Sequence, residues 1–170
     1  MTDAHYTRLD PADWEGEDVH FCLGYWNELR GDRLAPNWKD FDWSEIPPTL
    51  IPYFAVVDVT LNPDTVTYRF FGTAHSRAHG LDLTGQSPLE FDPLDVGQSM
   101  FSQYIEVARA KEPAFYLHIL HQHGMDSKIQ ETSLRLPFSN NGKTISQIAA
   151  FTDLRKDFEQ ARKHFVYDRE

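Results

Sequence analysis

Between Asp18 and Arg30, apolar residues recur at three- and four-residue steps: Val19, Cys22, Trp26 and Leu29, with Leu23 beside them. That spacing predicts an amphipathic helix, with Asp18 as its N-cap and Gly31 as its stop. From Tyr53 to Thr60 the period falls to two, the signature of a strand. Tyr53, Ala55, Val57 and Val59 form one face, Phe54 and Val56 the other. Both faces are apolar, so both need cover, and the helix at Asp18–Arg30 is the nearest element to supply it. Asn62-Pro63-Asp64 is a turn signal, and a second strand over residues 66–73 completes an antiparallel hairpin. In that strand Val66, Tyr68 and Phe70 alternate with Thr67, Arg69 and Phe71.

Gly72 breaks the second strand, Ala74–Ala78 supplies one or two helical turns, and Gly80 and Gly85 bracket a turn-rich stretch. A strand handing over to short helices points to a pocket wall. A longer helix follows from Leu94 to Lys111, with Val96, Met100, Phe101, Tyr104, Val107 and Ala108 on its apolar face. Gly97 weakens its first turn, and Glu112-Pro113 ends it. Three strands come next, Ala114–Gln122, Lys128–Phe138 and Thr144–Thr152, joined at Gly124/Asp126 and at Asn140-Asn141-Gly142. Leu154, Phe158, Ala161 and Phe165 then mark a terminal amphipathic helix.

The expected organisation is an acidic arm over residues 1–17, a helix and Pro-rich connector over 18–52, a core over 53–153, and a C-terminal helix over 154–170. The arm shows weak periodicity and reads as partly disordered. Trp38, Phe41 and Trp43 pin the connector, with a short helical turn near Trp43–Ile46. A hairpin and a three-strand meander make an antiparallel sheet with helices on one face, an α+β domain.

Composition narrows the function classes. The net charge is -10, which argues against nucleic acid or an anionic membrane as partner. No apolar run approaches the length of a membrane helix, and the N-terminus carries no signal pattern, so a soluble cytoplasmic protein is expected. Aromatic residues reach 14%, which suits a ring-lined core or pocket. The single cysteine, Cys22, excludes an internal disulfide and a multi-cysteine zinc cage. It lies on the apolar stripe of its helix and reads as a buried, inert thiol.

Four segments, in order, carry a family resemblance: YWNELRGDRLAP, IPPTLIPYFAVVDV, YRFFGTAH with GLDLTG, and LPFSNNG. The chain resembles the single-domain bacterial PAS family once catalogued as a domain of unknown function, over about residues 20 to 155. The resemblance implies a five-stranded antiparallel sheet, its first strand central beside its last, cupping short helices around a small cavity. The tail FTDLRKDFEQA resembles the aspartate-containing exit from the last PAS strand, with Asp153 as the acid and Arg155 where the family usually has a small hydroxyl residue. PAS domains are commonly sensors or interaction modules beside histidine kinase or cyclic-nucleotide output domains. The chain ends at Glu170 without such an output, so the resemblance implies a stand-alone sensor or adaptor acting through a signalling protein such as a histidine kinase.

Chemistry enters as a set of candidates. His75 and His79 share a helix face and His121 and His123 a strand face, spacings that can bind metal. Each pair lacks a third ligand, and the reading assigns no metal. By resemblance, haem needs a histidine on the long helix, which Leu94–Lys111 lacks, and covalent flavin needs a cysteine near the pocket helices. Both are disfavoured. No nucleophile elbow, P-loop or dinucleotide motif is present, so no catalysis is expected. A small-molecule enzyme using the same cup is the alternative. The candidate pocket comprises Arg69, Phe71, His75, His79, Phe101, Tyr104, Tyr116 and Arg135, with Arg69 or Arg135 as a carboxylate clamp. Trp26 and Leu29 on the first helix, and Leu154, Phe158 and Phe165 on the last, are candidate interaction residues that would support a homodimer.

Overall fold

The computed structural model describes residues 2–92, 94–122 and 128–155. Its elements are β1 (Thr2–Arg8), α1 (Glu17–Arg30), β2 (Phe54–Thr60), β3 (Thr65–Phe71), α2 (Thr73–His79), α3 (Leu94–Ala110), β4 (Ala114–Gln122), β5 (Lys128–Phe138) and β6 (Gln147–Thr152). The strands form one six-stranded antiparallel sheet in the order β1-β4-β5-β6-β2-β3. The first strand of the hairpin therefore sits beside the last strand of the meander, Ala55 opposite Ala150 and Val57 opposite Ile148. The expected C-terminal helix, with Phe158 and Phe165, lies outside the described residues, as does His123.

Burial on both sides of β2 dictates a sheet covered twice. α2 and α3 lie over the face that carries Ala55, Val57 and Val59. The opposite face takes α1 and the connector. The indole Nε1 of Trp26 donates to the Pro137 carbonyl at 2.7 Å. Ring contacts then run from Trp38 to Phe41 and from Phe41 to Trp43, at 5.0 and 4.9 Å between centroids. Trp43 reaches Phe54 on β2 and Phe70 on β3. Such pairs are each worth about 0.5–1.5 kcal/mol beyond their buried area, so ring packing pins a Pro-rich stretch that has only 3-10 turns.

Two glycines are required by close approach. A Cβ on Gly72 would stand 2.2 Å from the Pro52 carbonyl oxygen, where β3 leaves the sheet. A Cβ on Gly97 would stand 2.2 Å from the Pro88 carbonyl oxygen. Gly97 therefore does more than weaken a helical turn. It lets α3 settle against the 3-10 turn at Pro88–Glu90.

Three departures from the sequence reading have physical causes. The acidic arm contributes a strand: β1 pairs with β4 from Thr2↔Gln122 to Arg8↔Tyr116, and Tyr6 packs edge-on against Tyr116 at 5.8 Å. The backbone of β4 offers an open edge, which a local periodicity test on the arm does not see. β6 begins at Gln147 rather than Thr144, because the Asn141 side chain accepts from the Lys143 and Thr144 amides and holds them in the turn. In β3 the register slips: Val56 faces Phe70 and Val57 faces Tyr68, leaving Arg69 without a partner position. This bulge puts Tyr68 and Phe71 on the same face, 4.9 Å apart, although strict alternation would separate them.

Candidate functional site

The face under α2 and α3 is built by alternation. One row across the sheet reads Phe71, Ala55, Ala150, Arg135, Ala114. Arg135 thus stands between two alanines, whose small side chains leave its guanidinium room above the sheet. The next row places Ser133 between Thr152 and Tyr116, and the one after it sets Glu131 opposite His118. On α3, Val96, Met100 and Tyr104 recur at four-residue steps and face the sheet. On α2 the same spacing aligns His75 and His79, whose rings lie 6.2 Å apart and nearly parallel.

These side chains enclose a cavity of about 40 Å³, lined by Ala55, Tyr68, Phe71, His75, His79, Val96, Met100, Tyr104, His118, Glu131, Arg135 and Thr152. The lining combines apolar side chains, Phe71, Val96 and Met100, with polar ones from α2, α3, β3, β4, β5 and β6. Arg135 is 3% exposed. Its two terminal nitrogens donate to the Tyr104 hydroxyl at 2.7 Å and to Gln103 Oε1 at 3.0 Å. Its guanidinium carbon lies 4.1 Å from the Tyr104 ring centre. Its Nε is buried without a hydrogen-bond partner, and so is Nε2 of His118.

The cup keeps His75 and His118 neutral. Burial lowers His75 to about 4. The Tyr53 carbonyl opposes that shift and Arg135 adds to it. The carbonyl accepts at 3.0 Å from His75 Nε2, so in the neutral ring this nitrogen carries the proton. Burial, and then Arg135, lower His118 to about 3. Burial likewise raises the hydroxyls of Tyr68 and Tyr104. Arg135 is therefore a cation set among neutral donors and acceptors, with the Glu131 carboxyl further along its own strand.

Of the residues singled out from sequence, Phe71, His75, His79, Tyr104 and Arg135 line this cavity. Arg69 does not. As the bulge residue it turns to the other side and pairs with Asp58 at 2.8 Å near solvent. Phe101 also lies elsewhere, on an outer groove with Asp64, Ile105 and Arg109, because it sits one residue past the inward position Met100. Tyr116 is buried beside the cup and packs on Tyr6 rather than lining the space. Trp26 is 2% exposed and Leu154 equally enclosed, so both serve the core, not a partner. Leu29 is half-buried against that core. His118, Glu131 and Met100 also line the cavity, and Gln103 accepts from Arg135; none of the four was among the pocket candidates taken from the sequence. Alternation carried the signal for two of them: His118 shares a face with Tyr116, and Glu131 with Arg135.

Among the described residues, no three of His, Cys, Asp and Glu are grouped to hold a metal ion. Among them also, no helix is long and apolar enough to cross a membrane.

The family model described as "PAS domain" matches residues 19–151. No curated protein matches the sequence. A solved structure titled "Structure of an RNA-binding Light-Oxygen-Voltage Receptor" is similar at 13% identity and a TM-score of 0.39. The similarity covers 99% of this chain and 44% of that one.

Proposed function

The chain belongs to the PAS-domain family, whose members are typically sensory or regulatory modules, and from that premise we propose that it senses a small ligand held in the cup between α2, α3 and the sheet. The observation that carries this reading is the enclosed cavity around Arg135, which is lined by both polar and apolar side chains. A packed structural core has no use for a buried cation bonded only to neutral groups, since burying charge costs several kcal/mol unless it is compensated. Occupancy is relayed through α3, because Arg135 is tied to Gln103 and Tyr104 on that helix. A ligand that binds one arrangement of α3 better than another shifts the population toward it. A partner, such as a histidine kinase, reads the shift. The module itself performs no catalysis and works in the cytoplasm.

The test combines native mass spectrometry with a thermal-shift screen of small polar and amphiphilic compounds, on the wild type and on a cavity-filling variant, Ala55→Leu. The expected result is a compound that raises the melting temperature of the wild type and leaves the filled variant unmoved. If no compound stabilises the protein, or if the filled variant responds equally, the sensing proposal falls.

A further inference from the structure

We infer that the cup is an anion site, and that its ligand is a carboxylate of about three or four non-hydrogen atoms, of the size of acetate. The inference rests on the ligand-sensing reading above and names the chemistry of that same site.

Three observations converge on this class. The first is charge. The Arg135 guanidinium is almost wholly enclosed, and its hydrogen bonds to Tyr104 and Gln103 both go to neutral oxygens. Its Nε has none, although it belongs to the group lining the cavity. A guanidinium presents its N–H groups as a planar fork, and a carboxylate is the small acceptor that matches it. The second is size. At about 10–15 Å³ per water, 40 Å³ accommodates roughly three water molecules, which excludes nucleotides, flavins and sugars and admits a one- or two-carbon acid. The third is polarity. Phe71, Val96 and Met100 line the same space and suit a methyl group while the carboxylate turns to Arg135.

Glu131 lines the cavity too, and its carboxylate repels an anion. It stands four residues from Arg135 along β5, about 13 Å between Cα atoms at the usual strand rise, opposite His118. The ligand therefore docks at the Arg135 end. His118 Nε2, also without a hydrogen-bond partner, sits across from Glu131 in the same sheet row and adds a neutral group at that end. A neutral amide of the same shape satisfies the apolar wall equally well but forgoes the charge-assisted hydrogen bond, which is about twice as strong as a neutral one.

The experiment titrates the full chain with sodium acetate, with propionate and with acetamide at constant ionic strength and neutral pH. Melting temperature and the line width of carboxyl-labelled acetate in carbon-13 NMR are the readouts. Acetate is expected to stabilise the protein saturably and to broaden in its presence. Acetamide is expected to bind at least about tenfold more weakly. Arg135→Lys, which keeps the charge but loses the fork, is expected to weaken acetate about tenfold. Because this variant disturbs the bonds to Gln103 and Tyr104, Ala55→Leu serves as a second variant, and it should abolish acetate broadening while remaining folded. If acetamide matches acetate, the cup is a ligand site but not an anion site, and the carboxylate assignment is overturned alone. If neither compound is bound and the wider screen also finds no ligand, both readings fall, and water satisfies Arg135 Nε.

Discussion

Cys22 is 1% exposed, and burial, with Asp18 nearby, pushes its thiol up to about 12. The thiolate is the reactive form, so the native protein should leave a thiol reagent unreacted over the time in which the urea-unfolded chain reacts fully. Rapid labelling of the native state would refute the buried placement. His75 and His118 respond to pH in the same sense as salt-bridged carboxylates, losing stability as pH falls, but from a higher starting pH. His75 and His118 are lowered to about 4 and about 3 in the fold, against about 6.5 in the unfolded chain. Above pH 6.5 both states hold them neutral and nothing is lost. As pH falls below 6.5, the unfolded chain binds protons that the native cup refuses, and each histidine removes about 1.4 kcal/mol of stability per pH unit. Urea unfolding between pH 7.5 and 5 should show this loss. His118→Leu should reduce the slope by one proton, and an unchanged slope would place His118 in water. The residue scale is also where sequence reading was weakest. Arg69 and Arg135 look alike as strand arginines, yet one is a solvent-side bulge residue and the other the centre of the cup. No local pattern separates them, because the bulge that redirects Arg69 arises from pairing with β2.

At the scale of elements, the glycines of the helices give a paired test. Gly97→Ala drives a methyl into the Pro88 carbonyl at the foot of α3 and should cost about 1–3 kcal/mol. Gly24→Ala, on the exposed side of α1 with nothing within 4 Å, should stabilise by about 0.5–1 kcal/mol. Chemical denaturation of both variants checks the pair, and equal effects would remove the close-approach account. Trp26→Phe keeps most of the ring but gives up the hydrogen bond to the Pro137 carbonyl. A loss of about 1 kcal/mol is expected, with the remaining carbonyl shielded from water. Apart from β1, the existence and order of the described elements were readable from periodicity, and β4 and β5 were readable to their ends. Boundaries moved where side chains captured backbone groups, as Asn141 does ahead of β6.

At the scale of the whole molecule, residues 2–8 add a sixth strand to the sheet that the family resemblance limits to five. Arg8 reinforces the addition by pairing with Glu106 on α3 and with Glu112. Near solvent such pairs add little to stability. The larger effect is cover: β1 occupies an edge that would otherwise be open to another chain. Removal of residues 1–8 is therefore expected to lower the melting temperature and to produce concentration-dependent association in light scattering. A monomer at every concentration would show that β4 needs no cover.

What the sequence determined alone was the α+β class, the hairpin, the long helix, the meander and the identity of the fold, because each rests on short-range periodicity or on a fixed order of turns. It also marked 66–85 as a pocket wall, through Gly72, Gly80 and Gly85. The tertiary structure alone decided which polar groups meet. The row that sets Arg135 between Ala114 and Ala150 is assembled from three strands, and the hydroxyl and amide that receive its hydrogen bonds come from a helix about thirty positions away. Residues that share a face are legible from spacing along one strand. Residues that share a cavity are fixed by register between strands, and register is set by packing across the whole sheet.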